Sequence, residues 1–144
     1  MKIRQLSVFL ENQPGRLSAL CRALADAGIN LSTLNLADTG EFGLLRLITP
    51  EPDKAKTVLQ AANYAVTVTD VVALQVPDRP GGLAKVLSAL DAQRISVEYM
   101  YAFSMRKGGD AVMIFRFDDL DRALAALQAA GIGALTTVEL LGKP

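Results

Sequence analysis

Two short segments combine residue types able to hold a small charged molecule: Asn12-Gln13-Pro14-Gly15-Arg16-Leu17 and Asp78-Arg79-Pro80-Gly81-Gly82-Leu83. Each follows an alternating apolar run and precedes apolar residues spaced i, i+3, i+4, i+7, so each falls where a strand hands over to a helix. A helix start presents unpaired backbone N–H groups and the positive end of its dipole, and so accepts a carboxylate. Proline early in the helix fixes φ and removes one surplus donor, while Gly15 or Gly81 lets a ligand approach the backbone closely. The side-chain oxygen of Asn12 or Asp78 suits an ammonium group. Such a set would recognise a zwitterion, with its carboxylate on amides and its ammonium on side-chain and strand oxygens. The same residues are also ordinary turn and capping chemistry, so the segments alone leave both readings open.

Little other chemistry is on offer. The 144 residues include no His and one Cys, and 15 Lys+Arg balance 15 Asp+Glu. Without His there is no Ser/His/Asp or Cys/His nucleophile system and no His-containing metal site. One Cys makes neither an internal disulfide nor a Cys-rich cluster. Cys21 shares a helical face with Leu17 and Leu24 and reads as a packed thiol. Asp118, Asp119 and Asp121 suit the first turn of a helix better than a metal, because nothing supplies further ligands. Gly81-Gly82-Leu83-Ala84-Lys85 lacks the spacing and the following Ser/Thr of a phosphate-binding loop. We therefore expect no catalytic residues, no metal and no cofactor. Balanced charge with no basic run argues against nucleic acid. Met1-Lys2-Ile3-Arg4-Gln5 does not resemble a signal peptide, and no apolar stretch approaches the ~18 residues of a membrane span. A cytoplasmic protein without a membrane partner is expected.

The elements that position the two segments follow from an internal repeat. Pro14-Gly15 recurs as Pro80-Gly81, a shift of 66 residues, and the register holds onward: Leu20 meets Val86, Leu24 meets Leu90, Ile29 meets Ile95 and Leu31 meets Val97. In the first copy Leu6, Val8 and Leu10 alternate as a strand. Leu17, Leu20, Cys21 and Leu24 form a helical stripe closed at Ala27-Gly28. Residues 31–37 and 42–48, about Asp38-Thr39-Gly40, read as a hairpin. Thr49 to Asp53 opens a helix carrying Ala55, Val58, Leu59 and Ala62. Residues 65–76 are strand-like for longer than one strand usually runs, and so end one copy and begin the next. The second copy has strand 72–76, the Leu83/Val86/Leu87/Leu90 helix, strands 95–105 and 111–117, the Leu120/Ala123/Leu124/Leu127 helix and a last strand over 135–141.

The order is β-α-β-β-α-β, twice. This is an α+β, ferredoxin-like arrangement with both helices on one face of an antiparallel sheet, and the expected domains are 1–70 and 71–144. Each copy is small for independent stability, so the two are expected to join strand to strand into a continuous sheet.

Asn12-x-Pro14-Gly15-x-Leu17, Asp78-x-Pro80-Gly81-x-Leu83 and the turn Gly28-Ile29-Asn30-Leu31, in this doubled order, resemble tandem ACT domains. These are small amino-acid-sensing modules of regulatory and biosynthetic proteins. The resemblance covers essentially the whole chain. It implies ligand binding at interfaces between domains, by the loop and the start of the second strand. Carried over, the site residues are Asn12, Gln13, Gly15, Arg16 and Leu17 with Asn30, Leu31 and Ser32. In the second copy they are Asp78, Arg79, Gly81, Gly82 and Leu83 with Ser96, Val97 and Glu98.

The copies differ. Arg16 stands where the second copy has Gly82, either crowding a ligand or clamping its carboxylate. Arg94 stands where the first has Gly28, at a cost if its backbone is left-handed. Two unequal sites or one composite site both fit. In the second hairpin the repeat places Met100 and Ala102 with Leu34 and Leu36 on the helix-covered face. Tyr99, Tyr101 and Phe103 then take the other face, and Met113, Phe115 and Phe117 are assigned there with them; a bulge or register shift is the alternative. So apolar a face requires cover, which predicts a homodimer through the sheet faces or a partner protein.

The expectation is a non-enzymatic sensor or allosteric regulator that binds a free amino acid. The alternatives are a ferredoxin-like assembly module whose Pro-Gly loops are only turns, and an amino-acid-related mutase or detached regulatory subunit of a biosynthetic enzyme. Uncharged ligand side chains are slightly favoured by Leu17, Leu31, Leu83 and Val97.

Overall fold

The computed structural model describes residues 1–38 and 40–142; Thr39 of the first hairpin turn lies outside them. The chain divides into two compact units, one of Arg4–Thr69 and one of Met1–Ile3 with Asp70–Gly142.

In the first unit the elements are β1 (Ile3–Glu11), α1 (Arg16–Asp26), β2 (Thr33–Asp38), β3 (Phe42–Ile48), α2 (Pro52–Ala61) and the first residues of β4 (Val66–Val76). The strand order is β2-β3-β1-β4. Leu34 pairs with Leu47 and Leu47 with Leu6, while Asp38 pairs with Gly43 and Gly43 with Leu10. β1 and β2 therefore run parallel, with Glu11 and Asp38 at the same end. Leu6, Val8, Leu10, Leu45 and Leu47 pack with Leu20, Leu24, Ala55 and Leu59 of the two helices, and half-buried Leu17 and Cys21 lie against them. The alternation of β1 and the four-residue spacing of α1 and α2 put these side chains on facing surfaces.

The second unit repeats the scheme with the end of β4, α3 (Gly82–Asp91), β5 (Val97–Lys107), β6 (Asp110–Phe117) and α4 (Leu120–Ala129), in strand order β4-β6-β5. Its core joins Val72, Leu74, Val76, Phe115 and Phe117 to Val86, Leu90, Ala123 and Leu127. Asp119 caps α4 by accepting from the Arg122 amide at 3.1 Å.

The structure corrects two expectations. The last strand is reduced to a bridge between Ala134 and Leu74, after which the chain turns into α5 (Thr137–Leu141). A capping box decides this: Thr136 accepts from the Glu139 amide at 3.2 Å, and the Glu139 carboxylate takes the Thr136 amide at 2.7 Å. Second, Met113, Phe115 and Phe117 lie on the helix-covered face, because Met113 pairs with Ala102 and Phe115 with Met100. The Phe115 and Phe117 rings stack with centroids 5.5 Å apart inside that core. Tyr101 pairs with Ile114 on the other face, yet Tyr101 and Phe103 are each only 7% exposed. The open aromatic face that argued for a sheet-stacked homodimer is not exposed.

Candidate functional site at the first strand-to-helix loop

The loop after β1 is built almost entirely from backbone. Gly15, at φ 85°, is the residue before α1, a left-handed conformation that glycine adopts without penalty. Pro14 precedes that glycine in the turn rather than opening the helix. The Gln13 amide donates to the Glu11 carbonyl at 2.9 Å, and the Ala19 amide to the Gly15 carbonyl at 3.0 Å. Leu17 and Ser18 belong to the first turn, where helix amides lack partners within the helix. Asn12, Gln13, Gly15 and Arg16 are exposed and Leu17 is half-buried.

Beside this loop is a half-open cleft of about 200 Å³, lined by Leu10, Glu11, Asn12, Gln13, Leu17, Leu36, Ala37, Asp38 and Gly43. That is smaller than the roughly 300–1,000 Å³ of pockets for drug-sized ligands, and it suits one small metabolite. Its lining is mixed: Leu10 is buried and Leu17 half-buried, while Glu11, Asn12, Gln13, Leu36 and Asp38 are exposed. Glu11 forms an ion pair with Arg16 at 3.3 Å, and Asp38 Oδ1 accepts from the Gly40 amide at 2.7 Å. Gly43 keeps room: a Cβ there would lie 3.1 Å from Leu36 Cδ1. Leu36, Ala37, Asp38 and Gly43 were not expected in the site. They arrive because the split β-α-β order makes β1 and β2 parallel, which brings the end of β2 to the loop.

For the same reason the start of β2 is elsewhere. Leu34 is level with Leu6, so the start of β2 at Thr33 lies about 23 Å along the strands from Asn12 at ~3.3 Å per residue, and Asn30, Leu31 and Ser32 come before it. Within one unit the two halves of the expected site are at opposite ends. Leu31 packs against the core, and the Ser32 amide donates to the Ile48 carbonyl at 2.9 Å.

The second loop has the same turn, with Gly81 at φ 83° before α3, but a different filling. Gly82 is buried, and a Cβ on it would fall 2.0 Å from the Pro77 carbonyl oxygen. Asp78 forms an ion pair with Arg106 at the end of β5. Arg79 is exposed, and its carbonyl accepts from the Gly82 amide at 3.0 Å. Leu83 and Val97 pack on the core of this unit. Ser96 and Glu98 are exposed, and the Ser96 amide donates to Asp118 Oδ1 at 3.1 Å. Arg94 has φ 54° and Gly28 φ 70°, so the turn keeps its left-handed backbone in both copies despite the cost to arginine.

Among the described residues, no group of three His, Cys, Asp or Glu is placed to hold a metal ion, and no helix is long and apolar enough to cross a membrane.

Fold and loop together define a pair of ferredoxin-like modules with a small cleft at a strand-to-helix junction. The family model for an ACT domain pair matches residues 1–134, and the chain belongs to that family. Protein BT0572 from Bacteroides thetaiotaomicron is 40% identical over 97% of this chain and 96% of its own, with a TM-score of 0.90. The ligand-free regulatory subunit of aspartate kinase from Thermus thermophilus shares the fold at 16% identity, over 89% of this chain and 90% of its own, with a TM-score of 0.64. Its counterpart from Thermus flavus gives 16%, the same coverages and 0.63. No protein in the curated set matches the chain by sequence.

Proposed function

We propose that this chain is a cytoplasmic, non-catalytic regulator that binds a free amino acid at the first strand-to-helix loop and passes the binding event to a partner enzyme. The observation that carries the reading is the cleft formed by Asn12, Gln13 and Leu17 with the end of β2. It offers amides of the α1 first turn to a carboxylate and oxygens of Glu11, Asn12 and Asp38 to an ammonium. The fold it shares with regulatory subunits of aspartate kinase agrees with service beside a separate enzyme.

Because Asn30, Leu31 and Ser32 lie at the far end of the same unit, they join such a site from a second copy of the chain. β2 is an edge strand with Leu34 and Leu36 exposed, 44% and 50%, so its edge supports self-association better than the buried aromatic face does. The test is thermal unfolding against each of the twenty amino acids. At 100 times its dissociation constant a ligand stabilises by about 2.7 kcal/mol, and the midpoint rises accordingly. No shift with any amino acid at millimolar concentration rejects the sensor and favours the assembly module.

A further inference from the structure

The two loops are tethered to their hairpins by unlike chemistry. In the first unit Asn12 Nδ2 donates to the Gly40 carbonyl at 3.1 Å, and the Asn12 amide to the Glu41 carbonyl at 3.0 Å. The 66-residue shift turns Asn12 into Asp78, and strand pairing puts Arg106 at the place of Asp38, since Ala111 pairs with Arg106 and Val76 as Gly43 pairs with Asp38 and Leu10; Asp78 and Arg106 form the ion pair of the second unit. One neutral hydrogen bond to backbone has become a carboxylate holding a cation.

The second hairpin is also held more firmly. Gln75 Nε2 donates to the Lys107 carbonyl at 3.2 Å and to Asp110 Oδ2 at 3.1 Å, where the first repeat has Phe9 at the position of Gln75. Lys107 reaches Glu139 of α5 at 3.6 Å. β5 runs to Lys107 with a register shift between Ala102 and Arg106, and this longer strand carries the guanidinium to the loop. Behind the loop the Pro77 carbonyl fills the space beside Gly82.

We infer that Arg106 occupies the ammonium position of the second loop, so that the second repeat is an internally satisfied copy of the site and each chain binds one amino acid, at the first loop. The inference rests on the amino-acid reading above. A ligand ammonium must displace a guanidinium tethered to the same chain, whose effective concentration at Asp78 greatly exceeds that of a free metabolite. At the first loop the Asn12 side chain meets a carbonyl, and among the described residues the nearby cation, Arg16, pairs with Glu11 rather than with Asn12.

Calorimetric titration with the twenty L-amino acids singly tests this on the full chain and on Arg106→Gln. The expected result is one site per chain in the native protein, and a second, weaker event in Arg106→Gln that disappears again in Arg106→Gln/Asp78→Asn. Two sites in the native chain overturn the inference, as does a single site in Arg106→Gln. Amide hydrogen exchange reads the tether without any ligand. Arg106→Gln should speed exchange at residues 107–110 about two- to fivefold, the range of a partly exposed ion pair. Unchanged rates overturn the tether. If no amino acid binds either form, the amino-acid reading fails by itself and the exchange result alone judges the tether.

Discussion

Replacing Gly82 by alanine tests the claim that the second loop is closed by its own backbone. The added Cβ would lie 2.0 Å from the Pro77 carbonyl oxygen and 3.0 Å from the Pro77 carbonyl carbon. Even a close C–H···O contact needs about 3.3 Å between carbon and oxygen, so loop and helix start must part by more than about 1 Å. A backbone carbonyl cannot swing aside as a side-chain tip can. Overpacking of this kind costs about 1–3 kcal/mol and sometimes more. The helix-propensity gain of Gly→Ala, about 1 kcal/mol at an interior position, is smaller at the first residue of α3. A net loss of about 2 kcal/mol follows. With a urea m-value of about 2 kcal/mol/M the midpoint falls by about 1 M. Urea unfolding followed by far-ultraviolet circular dichroism reads this, and if the two units melt separately the transition of the second unit moves. Arg16→Ala is the matched control. Arg16 is exposed and its ion pair with Glu11 is half in solvent, so stability should stay within about 0.5 kcal/mol. A Gly82→Ala protein with an unchanged midpoint refutes the packing argument.

Three further outcomes are expected. Asn12→Ala removes the side-chain bond to Gly40; it should lower stability by about 0.5–1 kcal/mol in urea unfolding and reduce the amino-acid-induced rise in melting midpoint. Arg94→Gly relieves about 1–2 kcal/mol of left-handed strain and gives back about 0.4–1 through the unfolded chain, so the midpoint should rise by a few degrees at most, measured by differential scanning calorimetry. The Thr136 amide, and then the Thr136 hydroxyl, hold the Glu139 carboxyl below its ordinary value of 4.5. A carboxyl depressed in the folded state adds stability that is present above the unfolded value and disappears as pH falls through the folded one. Amide protection factors in α5, read by nuclear magnetic resonance and corrected for the intrinsic pH dependence of exchange, should therefore hold from pH 6 to about 4.5 and fall below it, and Glu139→Gln should flatten that dependence.

Both loops and most elements were legible because the signals are local: Pro-Gly between a period of two and a period of 3.6, repeated at a fixed shift. The last helix was missed although Thr136-x-x-Glu139 marks its start, because Leu135, Val138, Leu140 and Leu141 suit a short strand equally well. The face of β6 follows from pairing rather than from the fixed shift: Phe115 pairs with Val72 as Leu47 pairs with Leu6, two residues beyond the 66-residue repeat. The cleft was half legible. Asn12, Gln13 and Leu17 lie in the motif, but Leu36, Ala37, Asp38 and Gly43 reach it only through strand pairing, which no local spacing encodes. The Asp78–Arg106 contact depends on the register shift within β5, and so was hidden for the same reason.

The central claim, an amino-acid site at the first loop, is tested most directly by mapping amide chemical-shift changes in the 15N-labelled chain during titration with the twenty L-amino acids. The account predicts that at least one of them shifts the amides of Asn12, Gln13, Gly15 and Leu17 together with those of Leu36 to Asp38, while Asp78 to Leu83 stay in place. Shifts centred on the second loop, or none with any amino acid, would contradict it.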